Sequence, residues 1–382
     1  MTSQSSTSAP YTIPKELYDF RNFLWVVWKH LNLPDPTPVQ YDIADYLQNS
    51  PRRSIIEAFR GVGKSYVTVA FVVHQLLLDP EKKFLVVSAS KARADDFSTF
   101  AQRLIYELPM CQHLVARGEQ RWSKIAFDVA PATASGSPSV KSVGITGQLT
   151  GSRADIIIAD DVEVPSNSMT QMMRERLSES VKEFDAVIKP EGKIIYLGTP
   201  QNEMSLYNVL LERGYQMRVW PARYPSVEAT EKAYAGRLAP MLWDGLSKDP
   251  EAVVGLPTDP QRFTTDDLLE RELSYGRSGF ALQFMLDTSL SDRDKYPLKL
   301  SDLIVMSCDA STAPEKVVYG IFNPIDHLPN VGLSGDRYYG PEDTIGRAEY
   351  SGSVLAIDPA GRGADETGYA VVKMLNGYLY VV

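Results

Sequence analysis

The chain has 382 residues, too long for one ordinary core and suited to two or three domains of roughly 100–200 residues each. Its 44% hydrophobic and 23% charged residues give a globular composition, and no apolar run approaches the ~18 residues that span a bilayer, which excludes a membrane protein. The net charge of −9 is uneven: residues 52–153 hold 14 Lys/Arg against 8 Asp/Glu, so an acidic total does not exclude a nucleic-acid partner.

Residues 1–12 open with MTSQSSTSAP, which has neither a basic region nor an apolar one, and are expected to form a disordered tail rather than a signal peptide. Apolar spacing predicts helices over 16–33 and 38–49, separated by the proline-rich stretch PDPTP. Four continuous apolar runs follow, Ser54–Ala58, Phe84–Ser88, Ile156–Ala159 and Ile194–Leu197. Helical stretches such as Ser65–Leu78 and Ala92–Leu108 lie between them. Strands that are apolar on both faces and alternate with helices predict an α/β fold, a parallel sheet covered by helices on both faces. This core is placed at residues 13–215.

From 216 to 290 the pattern predicts a helical lid, with Asp266–Arg271 and Phe280–Leu286 as its clearest pieces. Residues 291–350 are rich in Pro, Gly and Asp and are expected to be a linker or an irregular subdomain. Three strand patterns, Ser353–Asp358, Tyr369–Leu375 and Tyr378–Val382, occupy the remainder, 351–382. A chain that stops inside a strand run is expected to be a piece of a longer one. Cys111 and Cys308 are too few for a disulfide framework or a zinc site, and point to a reducing, intracellular setting.

Chemistry concentrates in two places. Glu57-Ala-Phe-Arg-Gly-Val-Gly-Lys-Ser65 lies between a predicted strand and a predicted helix and matches G-x-x-x-x-G-K-[ST], except that Ala58 replaces the first Gly. Gly61 and Gly63 free the backbone to turn N–H groups toward phosphate oxygens, and the helix presents its positive end to them. Lys64, read as a solvent-facing loop lysine, reaches the β- and γ-phosphates, and Ser65 offers a hydroxyl to Mg²⁺. Arg60 is a candidate arginine finger acting within the subunit, or else a surface charge. The second place is Ile156-Ile-Ile-Ala-Asp160-Asp161-Val-Glu163, an apolar strand ending in acid. Asp160 is the metal-linked carboxylate, and either Asp161 or Glu163 orients the attacking water.

With these residues in view, the chain resembles the large terminase subunit of tailed bacteriophages, above all the DNA maturase B of short-tailed phages. The marks are Arg60-Gly-Val-Gly-Lys-Ser65, Gly147-Gln-Leu-Thr-Gly-Ser-Arg153 running into the Asp160 strand, Gly198-Thr-Pro-Gln201, Phe280-Ala-Leu-Gln-Phe-Met-Leu-Asp287 and Ile357-Asp-Pro-Ala-Gly-Arg-Gly363. The resemblance implies an ASCE-type P-loop ATPase that uses ATP and Mg²⁺ and translocates double-stranded DNA into a procapsid. It implies that Gln40 reads adenine, that Val62 and Tyr66 belong to the nucleotide loop, and that Thr199 and Gln201 sense the γ-phosphate. Arg153 then reaches a neighbouring subunit's nucleotide. The alternative places for Gln40 and Arg153 are a helix surface and an intrasubunit ion pair. The last strands resemble the start of an RNase H-like nuclease, with Asp358 as a metal-binding carboxylate and Asp365 on the next turn. The implied partners are the portal protein, the small terminase subunit and further copies in a ring, taken as pentameric. The implied setting is the cytoplasm of the infected host, transiently docked on the procapsid, with no membrane. A nucleic-acid helicase and a non-hydrolysing nucleotide-binding scaffold are the rival readings.

Overall fold

A computed structural model describes residues 12–149, 151, 153–202, 204–288, 300–325, 328, 337–358 and 367–382. The chain divides into two compact units, Met1–Asp294 and Lys295–Val382. The expected N-terminal tail falls, all but residue 12, outside the described residues, as does Asp365.

The first unit is built on a seven-stranded sheet. In chain order its strands are β1 (Arg53–Ala58), β2 (Phe84–Ser88), β3 (Ala126–Phe127), β4 (Val140–Gly144), β5 (Ala154–Asp160), β6 (Ile188–Gly198) and β7 (Gln216–Trp220). They lie side by side as β3-β4-β2-β5-β6-β1-β7, parallel throughout except for β3 on β4. All five residues of β2 and the last five of β1 are buried, as strands covered on both faces must be. Helices α1 (Phe20–His30), α2 (Pro38–Asn49), α3 (Lys64–Leu78) and α4 (Lys91–Glu107) pack in the same core. A helix that is apolar all round belongs inside a fold, and α3 buries every residue from Val67 to Leu77. Thr37 and Gln40 cap α2 reciprocally, with Pro38 in its first turn.

The sheet departs from the expected layout at its edges. It continues past residue 215, because Gln216–Trp220 pairs in parallel with β1 from Ser54 to Ala58 instead of starting a helical lid. Helices Pro240–Lys248 and Thr265–Phe280 come only after this strand. The first predicted helix is also split: Asp19 accepts from Arg21 N–H as an N-cap, so a short 3₁₀ turn, Lys15–Tyr18, precedes α1.

In the second unit, part of the expected irregular stretch is ordered. Lys316–Pro324 and Tyr339–Ile345 pair antiparallel. Gly352–Asp358, Gly368–Leu375 and Tyr378–Val381 form an antiparallel meander in which Asp358 faces Gly368. Ala313, Leu375 and Tyr380 make its small buried cluster. Among the described residues no helix is long and apolar enough to cross a membrane.

Candidate active site

The carboxyl ends of β1, β6 and β5 are neighbours in the sheet, so the loops that leave them meet at one edge. In open parallel sheets this edge is where ligands bind. The loop after β1 carries Gly61 at φ 93° and Gly63 at φ 94°, the left-handed region that other residues enter only at a cost. Gly61 also has no room for a side chain, since a Cβ there would stand 2.8 Å from the Phe263 ring. Ala58, the departure from the expected glycine pattern, is the last residue of β1 and lies outside the positive-φ set, so it needs no glycine.

The loop is held from behind. Phe59 N–H donates to Trp220 O at 3.0 Å and Arg60 N–H to Gln283 O at 3.0 Å. The Gln40 amide donates to Val62 O at 2.7 Å, and Arg262 Nε donates to Gly61 O at 2.7 Å. With those carbonyls tied outward, the N–H groups of Gly61 and Gly63 have no partner among the described residues. Together with the unpaired N–H groups of the first turn of α3 they form a cradle for an anion.

Lys64 is 8% exposed, not solvent-facing as expected, and its ammonium donates to Ala58 O. Burial pulls its pKa down, against the raising effect of Asp161, Asp160 and Glu57. Ser65 Oγ donates to Asp160 Oδ2 at 3.4 Å, while Asp160 Oδ1 is buried with no partner. Burial, and then the charge of Asp161, pushes the Asp160 carboxyl up to about 7. A buried lysine and a half-buried acid with one buried oxygen, both driven toward neutrality, fit a site completed by a polyanion and a hard cation. Among the described residues no group of three or more His, Cys, Asp or Glu gathers to cage a metal. A cation that takes most of its oxygens from phosphate and water needs only the Ser65 hydroxyl and the Asp160 carboxylate.

The next two acids differ. Asp161 sits at φ 46°, its N–H donates to Leu197 O at 2.8 Å, and its carboxylate makes no hydrogen bond among the described residues. Glu163 is 1% exposed, and its carboxylate accepts from Gln201 N–H at 2.9 Å, Ser205 Oγ at 3.0 Å and Leu206 N–H at 2.5 Å. Burial raises its pKa, and the Leu206 and Gln201 N–H groups pull the other way. Gln201 Nε2 donates back to Thr199 O at 3.0 Å.

A cavity of about 580 Å³ collects most of the sequence-derived residues: Arg60, Gly61, Gly63, Lys64, Ser65, Tyr66, Asp161, Glu163, Thr199 and Gln201. Asp160 lines an adjoining cavity of about 410 Å³ that shares Ser65, Tyr66 and Asp161 with it. Val62 is fully buried under the loop. Gln40 is not on a helix surface: it is 1% exposed, faces a third cavity with Arg262 and Phe263, and also accepts from Thr37 N–H at 3.1 Å. Arg153 precedes β5 at the opposite edge of the sheet, with its guanidinium on the Ala186 carbonyl and no carboxylate ion pair among the described residues. Asp358 belongs to the second unit.

The structure adds residues that sequence patterns do not single out. Arg93, in the first turn of α4, lines both cavities, and its signal was a cation just after the Ser90 cap that follows β2. Arg262, Tyr275 and Gln283 line the first cavity from about two hundred residues downstream, where nothing in the local sequence ties them to the loop.

A family model for the terminase of bacteriophage T7, ribonuclease H-like domain, matches residues 357–382. The chain is 51% identical over 391 residues to the "Terminase, large subunit" of Enterobacteria phage T3. That alignment takes in 100% of this chain and 66% of the relative, so the chain spans just under two-thirds of the relative's length. The large terminase of bacteriophage HK97 superposes at TM-score 0.44 with 13% identity, covering 96% of this chain and 67% of that one. The large terminase ATPase domain of Thermus phage P74-26 gives TM-score 0.38 and 14% identity, covering 68% of this chain and 96% of that domain.

Proposed function

The chain belongs to the terminase large-subunit family, and on that premise we propose that it is the ATP-hydrolysing part of a motor that drives double-stranded DNA into a viral procapsid. The observation that carries this reading is the convergence of the glycine loop, Lys64, Ser65 and the acids Asp161 and Glu163 on one cavity, with Asp160 in the cavity adjoining it. The backbone cradle and the start of α3 hold the phosphates, while Lys64 and Arg60 spread the charge of the transferring phosphoryl group. Ser65 and Asp160 hold Mg²⁺, which neutralises phosphate charge when bound. An acid of the loop after β5 orients water, and Thr199 and Gln201 face the γ-phosphate. Gln40 holds the loop through Val62 and borders the cavity that would take the adenine.

Arg153 has a different place in this reading. It is separated from Asp160 by the length of β5, about 20 Å at ~3.3 Å per residue, so it meets a phosphate only on another copy of the chain. That supports a ring, pentameric in our proposal, with the portal protein and the small subunit as its partners in the host cytoplasm. The basic stretch 52–153 supplies sequence-independent contacts to the DNA backbone. Asp358 would be a metal-binding carboxylate of an RNase H-like nuclease. The test is packaging: the full-length protein, its small subunit and purified procapsids should protect DNA from nuclease only when ATP is hydrolysed. ATP-independent protection, or none with active procapsids, would end the motor reading.

A further inference from the structure

The two acids after Asp160 have different surroundings, and the difference assigns them different work. We infer that Glu163 is a positioning residue, a carboxylate clamp that fixes the loop after β6 to the loop after β5, and that Asp161 is the acid left to orient water. The inference rests on the ATPase reading above for the word water; the clamp itself rests on hydrogen bonds alone.

A general base needs a lone pair that water can reach. A carboxylate offers about four acceptor sites. Glu163 commits three of them: Oε1 to Gln201 N–H, Oε2 to Ser205 Oγ and Leu206 N–H. It borders the 580 Å³ cavity, but at 1% exposure almost none of its surface meets solvent. Asp161 lines both the 580 Å³ and the 410 Å³ cavity, and its carboxylate makes no hydrogen bond among the described residues. Its backbone is fixed instead, by the Leu197 carbonyl of β6.

The partners of Glu163 say what the clamp does. Gln201 belongs to the loop that carries Thr199, whose carbonyl takes the Gln201 side-chain amide. Ser205 caps the helix Leu206–Glu212 and accepts from Tyr207 N–H at 3.3 Å. One buried carboxylate therefore joins the end of β5, the loop after β6 and the start of that helix. A shift of Thr199 or Gln201 toward a phosphate moves the helix with it, because a buried charge cannot release its donors cheaply.

Two measurements on the same proteins test this. Amide exchange without nucleotide reads the clamp, and steady-state ATP hydrolysis reads the chemistry. In Glu163→Gln the second oxygen becomes an NH₂ facing donors, so exchange at Gln201 and Leu206 should quicken roughly tenfold or more. Its kcat should fall less than that of Asp161→Asn, with KM for ATP raised. Asp161→Asn should keep wild-type exchange and KM and lose kcat by about 100-fold or more. Should Glu163→Gln fold poorly, Ser205→Ala removes one donor and leaves the acid, and should give a milder form of the same pattern. Wild-type exchange in Glu163→Gln together with a kcat loss as deep as in Asp161→Asn would overturn the assignment, as would an active Asp161→Asn protein. A wild-type protein without ATPase activity would sink the ATPase reading alone, since the exchange result stands without nucleotide.

Discussion

At the scale of single residues, burial decides what a substitution tests. Lys64 is buried and its ammonium leans on Ala58 O, so Lys64→Ala would mix a lost charge with a new cavity. Lys64→Met keeps the length and removes the desolvated charge. It should lower ATP hydrolysis by on the order of 100-fold or more while leaving the melting temperature unchanged or higher, because a buried ammonium held by a carbonyl and no ion pair costs stability. Phosphate release and a thermal melt on one preparation check both halves; a drop in melting temperature of several degrees would contradict the second. Gly198 is a sharper case. A Cβ there would lie 1.8 Å from the Tyr207 hydroxyl and 2.4 Å from Cζ, inside a fully buried contact. Gly198→Ala should cost about 1–3 kcal/mol by overpacking. Tyr207→Phe should not rescue it, since Cζ remains, whereas Tyr207→Leu should recover part of the loss in a urea titration. The Gly198-Thr-Pro-Gln201 motif was legible in the sequence. The reason for its glycine was not, because the ring that needs the space arrives from a helix nine residues later.

At the scale of elements, legibility follows burial on two faces. The central strands β1, β2, β5 and β6 read as continuous apolar runs because helices cover both sides of them. Of the sheet strands that were not anticipated, β3 is two residues long, and β4 (VKSVG) and β7 (QMRVW) carry polar residues within short runs. β7 has a strand neighbour on one side only, with a single bridge from Val219 to Leu238 on the other, and its Arg218 lies over the Tyr46 ring at 4.0 Å, so its pattern does not look like a core strand. The packing of α3 on α1 was equally hidden, and it carries a pH-sensitive joint. His74 is fully buried on α3, with ring centroids 5.2 Å from Phe20 and 5.4 Å from Phe23. Its Nε2 must carry the proton, because the partner at 2.7 Å is the Leu17 carbonyl. Burial pushes its pKa down from 6.5 to about 4. The unfolded chain therefore binds a proton that the folded one refuses as pH falls below 6.5. The stability is fully present above pH 6.5 and is lost between there and about pH 4, by about 3 kcal/mol in all. His74→Gln should flatten the slope of unfolding free energy against pH by close to one proton in that window. Parallel slopes for the two proteins would show that His74 does not carry the effect.

At the scale of the whole molecule, Arg153 is the residue whose place makes least sense within one chain. It stands at the edge of the sheet away from the nucleotide loop, about 20 Å from Asp160 along β5, and its guanidinium rests on the Ala186 carbonyl. A head-to-tail ring would bring that edge of one subunit to the loops of the next, a heterologous contact that closes by rotation. If Arg153 acts across it, Arg153→Ala should hydrolyse ATP slowly at every protein concentration, by a factor approaching the ~10³–10⁵ that such arginines supply elsewhere. The decisive step is a mixture of Arg153→Ala with Lys64→Met, each inactive by itself. A working site needs an intact Lys64 in its own subunit and an intact Arg153 in the neighbour. In an equal random mixture about a quarter of the sites meet both conditions, so activity should return to about a quarter of wild type if sites fire independently. Firing that requires every site of a ring would push the recovery lower and make it depend steeply on the mixing ratio. An arginine serving its own subunit's nucleotide gives none at any ratio, because each subunit then lacks one of the two groups it needs. Native mass spectrometry on the same sample establishes that the rings are mixed, and mixed rings without recovered hydrolysis would refute action across the interface.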